Sequence, residues 1–484
     1  MQQKSVEKNY LYNLLYQMLA VVIPLILTPY VSRVLSPEGV GAFSYTTAMA
    51  GYFALFGNLG VATYGQLKIA GERADRRRLS QTFEELAVLR LILMTAVLVC
   101  YLVFIAVFSR EENKSLYRVL VIQILAAMLD ITWFLQGMEE FGKIVLRNTL
   151  IKLLSVVLIF TLVKKPADLY RYALLVNAST LLGNLSIWSF LPRYLERVPL
   201  RELRPFSHLK ACLGYFIPSI ATTIYLTLDK TMIGWFTASS VENGYYEQAH
   251  KIEQMAVTVV TSLSVVTMPR MAFLFQNRET EKLRERLEQS MRLILLLAIP
   301  MCFGMTALSD TFIPLYLGPA FLPSIALLRV FSLLLVVVGL NNAVGKQVLM
   351  PMGRQKQYNL AVILGACSNL VLNLLLIPRF YALGAAVASV TAETVILLAF
   401  LHFGRDMIRG SWILKSSLKY LLAALLMFAA IRFSSLVLPE GWPALVLQVL
   451  LGIALYFAAV LALRDAFAIR GLQTALKKLR RRGT

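Results

Sequence analysis

Apolar runs near the roughly 20 residues needed to cross a bilayer recur along the whole chain, separated by short polar stretches. Fourteen can be placed: 10–34, 42–65, 86–108, 116–138, 144–163, 171–192, 211–236, 245–273, 289–310, 322–345, 358–378, 383–403, 416–436 and 443–463. The pattern predicts an all-α polytopic membrane protein with fourteen transmembrane helices. The start, MQQKSVEKN, is polar and lacks a short apolar core with a cleavage site, so the first span is expected to be permanent.

Several segments carry polar positions in helical register. The first has Asn9, Asn13, Gln17 and Thr28, with Pro24 on the same stripe; the second has Ser44, Thr47, Gly51 and Asn58. The seventh has Tyr215, Thr222, Tyr225 and Asp229, and the eighth has Glu247, Lys251, Gln254, Thr258 and Thr261 with His250 and Glu253 beside them. A polar helix face inside a bilayer must turn to protein or to a wet cavity. Isolated Ser, Thr and Asn commonly serve hydrogen bonds between helices. Four long stripes, opening both halves of the chain, point instead to a shared water-filled cavity.

Composition agrees with a membrane protein: 58% of residues are hydrophobic and 15% charged, where a soluble chain has about 25% charged. Lys and Arg outnumber Asp and Glu by 48 to 27, a net charge of +21 that would suit nucleic acid if it formed one patch. It is spread over alternate loops instead. Lys68, Arg73, Arg76, Arg77 and Arg78, the connector 193–210, the 278–286 loop, the 405–415 loop and the tail with Lys477, Lys478 and Arg480 fall on one side. The opposite loops are nearly bare, with Arg110, Lys114, Lys164 and Lys165 the main exceptions. Lys and Arg stay on the cytoplasmic side, so both termini are expected there. The outer connections are short, which argues against an enzyme such as a polymerase or ligase that needs a folded extracytoplasmic domain. The basic connector divides an N-lobe, 1–206, from a C-lobe, 207–404, each of six helices; 405–484 holds two further helices and a polybasic tail. Parallel repeats of this kind recur in transporters, with the substrate site between the halves.

An ionisable residue at a helix centre costs about 2.5–3.5 kcal/mol on insertion scales, so each needs a partner or a cavity. The spans contain Arg33, Arg90, Asp130, Asp229, Lys230, Glu247, Lys251, Glu253, Arg270, Arg329 and Glu393. Glu247 and Lys251 are spaced to pair with each other, and Arg33, Arg90 and Arg270 lie near helix ends from which they can snorkel to headgroups. Asp229 and Lys230 are adjacent, point in different directions and neutralise each other poorly. The cations suit an anionic substrate such as a phosphate, and Tyr16, Tyr30, Tyr45, Tyr225, Tyr245 and Tyr246 suit sugar stacking, packing or interface anchoring. There is no P-loop, and the three histidines and four cysteines have no metal-ligand spacing.

NYLYNLLYQ at 9–17, IPLILTPYVSRVLSPEGVGAFSY at 23–45, LDKTMIGWF at 228–236, GYYEQAHKIEQM at 244–255 and TMPRM at 267–271 resemble the polysaccharide-transport, or Wzx-type, flippases of the multidrug/oligosaccharidyl-lipid/polysaccharide exporter (MOP) superfamily, particularly capsule and exopolysaccharide export proteins. The resemblance implies two six-helix lobes in a V, with the first, second, seventh and eighth helices lining the cavity. It also implies a substrate, an undecaprenyl-diphosphate-linked oligosaccharide repeat unit moved from the inner to the outer leaflet of the bacterial cytoplasmic membrane. Arg33, Asp229, Lys230, Lys251 and Arg270 fall within matching motifs; Arg90, Arg329, Asp130 and Glu393 rest on the intramembrane-charge argument alone. The diphosphate is then expected at Arg33, Lys230, Lys251, Arg270, Arg90 and Arg329, and the sugars at Asn13, Gln17, Tyr30, Tyr45, Asn58, Tyr225, Tyr246 and Gln254. No cofactor is expected. A proton or sodium ion at Asp229, Glu247, Glu253 or Asp130, or the membrane potential, are the energy sources left open. Expected partners are membrane lipids, a polysaccharide polymerase and export machinery, and no nucleic acid. A drug/cation antiporter of the same superfamily and a flippase for another diphosphate-linked lipid, such as the peptidoglycan precursor, remain as alternatives.

Overall fold

A computed structural model describes residues 6–237, 239–408, 410–470 and 473. Among these the regular structure is helical throughout, with no strand. The helices are α1 (Val6–Asn58), α2 (Val61–Glu72), α3 (Arg76–Val107), α4 (Glu111–Val119), α5 (Val121–Met128), α6 (Thr132–Gly137), α7 (Phe141–Leu162), α8 (Leu169–Trp188), α9 (Leu209–Thr237), α10 (Ser240–Gln276), α11 (Thr280–Tyr316), α12 (Ser324–Phe331), α13 (Leu333–Asn341), α14 (Gln355–Phe403), α15 (Gly410–Val437) and α16 (Trp442–Ala462). Eight helical stretches among the described residues are long and apolar enough to cross a membrane.

Where expected segments abut, the chain breaks without a long loop. In α1 the break is at Ser36, with φ 63° and ψ 168°. Pro37 follows; it has no N–H to donate and its fixed φ suits the first position of the next helical run. In α14 the break is at Tyr381, φ 52°, three residues after Pro378. Two expected spans are instead interrupted. Segment 116–138 becomes parts of α4, α5 and α6, and 322–345 becomes α12 and α13 running into a π-helix, Asn342–Leu349. A π-helix is rare and is frequently found at functional sites.

The chain forms two compact units, Met1–Gly244 and Tyr245–Thr484. The expected first lobe ends at residue 206; the first unit runs further because α9 packs against α1 and α2. Close approach there needs glycine: a Cβ on Gly234 would stand 2.4 Å from the Tyr45 ring, and one on Gly41 1.6 Å from the Ser240 carbonyl. A core of Val61, Ile69, Phe83, Leu86, Trp133 and Ile187 holds α2, α3, α6 and α8 together. In the second unit α15 packs along α11 and α16, around Leu295, Ile299, Tyr420, Met427 and Tyr456. The terminal helices are therefore bolted into this unit by apolar packing.

Candidate functional site

In the first unit, α1 and α9 carry the expected polar stripes. Tyr52 and Thr231 are hydrogen bonded through their hydroxyls at 2.8 Å, which sets α9 against the second part of α1. Asp229 and Thr231 are buried nearby, while Lys230 stays partly accessible. Asp229 is thus the more enclosed of the two adjacent charges. Arg33 is exposed. On the stripe of the second expected span, Ser44 is buried, Thr47 half-buried, and a Cβ on Gly51 would meet nothing within 4 Å, so that face is open there. Asn58 ends α1 with its Oδ1 buried and unsatisfied. The side chains of Asn13, Gln17, Thr222 and Tyr225 lie outside the described residues.

In the second unit, α10 presents a polar stripe that is not covered. Gln254 and Thr258 are exposed and Lys251 and Thr261 partly so, whereas Glu247 and Glu253 are buried. Lys251 Nζ lies 3.2 Å from Glu247 Oε1, the pairing expected from their spacing. His250 packs between Tyr246 and Phe331. Its Nδ1 is 3.1 Å from Glu253 Oε2, but the pair is off the hydrogen-bonding axis and both atoms lack a hydrogen bond. Its Nε2 meets Gln254 Nε2 at 3.0 Å. Arg270 is exposed further along the same helix.

Other expected site residues are engaged by the fold. Arg90 is 3% exposed; its Nε and Nη2 donate to the Ala127 carbonyl at 3.2 and 2.7 Å, and Nη2 lies 3.9 Å from Asp130 Oδ2. Asp130 accepts from the Thr132 N–H and hydroxyl at 2.9 and 2.5 Å, fixing the start of α6. Arg90 and Asp130 thereby hold together the broken helix at 129–131. Tyr30 donates its hydroxyl to the Val163 carbonyl at 2.6 Å and packs on Phe160, with Lys164 over its ring. Tyr246 is 2% exposed, packed on Phe331, with its hydroxyl 3.5 Å from Ser389. The Tyr45 ring packs closely against Gly234. Arg329 is held by Asp310, and Glu393 accepts from Asn341 Nδ2 at 2.6 Å.

Sequence reasoning missed three polar knots. Glu85 Oε2 accepts from His208 Nε2 at 2.7 Å, Glu85 Oε1 accepts from the Arg204 N–H at 2.9 Å, and Tyr64 reaches His208 Nδ1 at 3.0 Å. A carboxylate only accepts, so Nε2 carries a proton here. The knot ties the 193–210 connector to α2 and α3, and only its position at a span edge hinted at it. Asn341 with Glu393 and Asp310 with two arginines are the others. Among the described residues no group of three or more His, Cys, Asp and Glu is placed to hold a metal ion.

A family model described as polysaccharide biosynthesis protein matches residues 6–276. The chain belongs to this family. A Shigella dysenteriae protein named "Putative O-antigen transporter" is 23% identical over 82% of this chain and 99% of its own length. Among solved structures, the lipid II flippase MurJ in an inward closed conformation aligns over 93% of this chain and 98% of its own, with a TM-score of 0.75 and 15% identity. An inward-facing multidrug resistance MATE transporter of the MOP superfamily aligns over 81% and 95%, with a TM-score of 0.61 and 18% identity. At these identities the structural likeness establishes the fold, which is that of the MOP transporters. The family match, the relatives named as O-antigen transporters and this fold agree with the resemblance to Wzx-type flippases carried by the sequence motifs, and the apolar helices make the chain an integral membrane protein.

Proposed function

We propose that this protein flips an undecaprenyl-diphosphate-linked oligosaccharide repeat unit from the inner to the outer leaflet of the bacterial cytoplasmic membrane, supplying capsule or exopolysaccharide synthesis. It crosses the membrane fourteen times with both termini in the cytoplasm and works by alternating access through a cationic cavity. The observation that carries this reading is the uncovered polar stripe on α10, where Lys251, Gln254 and Thr258 remain accessible on a helix of a membrane transporter. Lipid would make such a face costly, so it is read as facing water and substrate. Arg33, Lys230, Lys251 and Arg270 supply positive potential for the diphosphate, and Gln254 and Asn58 offer amides to the sugars. The prenyl tail stays in lipid. Arg90 and Tyr30, spent on backbone carbonyls, belong to the scaffold. The relatives named as O-antigen transporters support the class of substrate. Accessible cations disfavour a drug/cation antiporter, whose substrates are themselves positive.

Asp229, Glu247 and Glu253 are buried carboxylates and are the places where a proton or sodium ion couples to transport. The desolvation of a buried carboxylate differs between conformations, so a change in its ion occupancy biases which conformation is stable.

The test is delivery of lipid-linked oligosaccharide to the outer leaflet of proteoliposomes, with the lipid-linked peptidoglycan precursor as a parallel substrate. Lys230→Ala is expected to abolish delivery of the oligosaccharide at unchanged protein level and melting temperature. Normal delivery by that variant would sink the proposal, and transport of the peptidoglycan precursor alone would reassign the substrate.

A further inference from the structure

At one end of the second unit two arginines share a single carboxylate. Asp310, near the end of α11, receives Arg329 Nη2 from α12 on Oδ1 and Oδ2 at 2.6 and 2.7 Å, and Arg432 Nη1 from α15 on Oδ2. Arg329 Nε also donates to Ser309 Oγ at 3.1 Å. The trio carries one net positive charge, and its side chains are 41%, 42% and 45% exposed. A guanidinium has five N–H donors. Arg329 Nη1 and Arg432 Nε and Nη2 therefore keep donors that no protein group takes among the described residues.

The position is as informative as the charge. At about 1.5 Å per residue, α11 rises roughly 40 Å from Arg284, in its densely charged first turns, to Asp310. The hydrocarbon layer is about 30 Å thick, so the trio lies at the headgroup level of the leaflet opposite that charged start. Apolar Leu333, Phe433, Leu436 and Val437 are exposed on the helices around it, and Trp442 is exposed at the start of α16, where aromatic side chains favour the interface. Spare guanidinium donors above an apolar surface match an anion that carries its own hydrocarbon.

We propose that Asp310, Arg329 and Arg432 form a binding site for the phosphate of an anionic membrane lipid, which clamps α15 to α11 and α12 from the outer leaflet. The assignment of that leaflet rests on the orientation under Proposed function; the site itself does not depend on transport. A mere structural ion pair and a phosphate site respond oppositely to loss of the carboxylate. Removing it frees two guanidiniums for the lipid, so binding should rise even as the protein-protein link is lost.

The experiment uses full-length protein in vesicles of phosphatidylglycerol and phosphatidylcholine with a trace of phosphatidylglycerol bearing a photoreactive headgroup, followed by peptide mapping. Wild-type protein is expected to be labelled within 305–333 and 428–442. Arg432→Gln should lose that labelling roughly tenfold, about the worth of one charge-assisted hydrogen bond, and Arg432→Lys should lose less. Asp310→Asn should gain labelling. Excess unlabelled phosphatidylglycerol should compete, whereas inorganic phosphate at the same concentration should not; effective competition by inorganic phosphate would overturn the assignment to lipid. Stronger competition by undecaprenyl phosphate than by phosphatidylglycerol would overturn the assignment to a bulk lipid. Equal labelling of Arg432→Gln and wild type, or a loss in Asp310→Asn, would overturn the site. Melting curves of each variant identify any that has failed to fold, and Arg432→Lys then carries the comparison. Because labelling needs no turnover, a failure here is distinct from a failure of the transport reading.

Discussion

Replacing Arg90 with methionine separates a cation that holds the fold from one that meets substrate. The guanidinium is almost fully buried and gives two hydrogen bonds to one carbonyl, that of Ala127. That carbonyl lies in the last turn of α5, where the break at 129–131 leaves it a long backbone bond from the Asp130 N–H at 3.4 Å. Methionine keeps most of the side-chain volume and removes every donor. Loss of hydrogen bonding from a charged donor costs about 1.5–3 kcal/mol, and leaving the buried carbonyl with only its long backbone bond adds part of the about 1–3 kcal/mol of an unmet group. Relief from desolvating a buried guanidinium, one of whose nitrogens, Nη1, has no partner, returns part of this. The net is a destabilisation of about 2–4 kcal/mol, or roughly 30- to 1,000-fold in the ratio of unfolded to folded protein. Thermal unfolding in detergent, followed with a thiol-reactive dye that reads the buried Cys212 and Cys302, measures the loss. Transport per folded molecule, measured well below the melting temperature, should be retained. A variant that melts like wild type but does not transport would refute the scaffold role and return Arg90 to the substrate site.

Ser36→Val should lower the melting temperature, because a β-branched residue at φ 63° is strained by about 1–3 kcal/mol; unchanged melting would show that the break in α1 relaxes. Glu85→Ala removes the acceptor for His208 and the Arg204 N–H, so limited proteolysis within 193–208 should accelerate severalfold while the helices stay protected. Asp406 lies outside the spans and is held below the usual carboxylate range, chiefly by its hydrogen bonds from Arg354. The stability it adds is present above the unfolded carboxylate value of about 3.9 and is lost as pH falls through its lower folded value. Melting temperatures from pH 6 to pH 3 should therefore show Asp406→Asn below wild type at the upper end and converging with it at the lower, and a constant gap would contradict the linkage.

The resemblance to known flippases and the membrane character were legible without coordinates, because hydropathy over about 20 residues and helical phase are local properties. The same phase told which faces of α9 and α10 are polar, and the adjacency of Asp229 and Lys230 meant that the two would point in different directions. Spacing along one helix likewise anticipated Lys251 and Glu247. What local pattern did not reach was which cations are already spent. Arg90 meets a carbonyl 37 residues away, and Arg432 meets an aspartate 122 residues away; pairings across such separations depend on how helices pack. The helix break at 129–131 and the π-helix at Asn342–Leu349 were equally hidden, since Asp130, Asn342, Lys346 and Gln347 interrupt the apolar pattern there without specifying which backbone hydrogen bonds change. The sequence by itself determined where the chain is apolar and which helix faces are polar. Tertiary structure decided which charges remain available, because a charge in a membrane protein is defined by its partner, and partners come from distant helices.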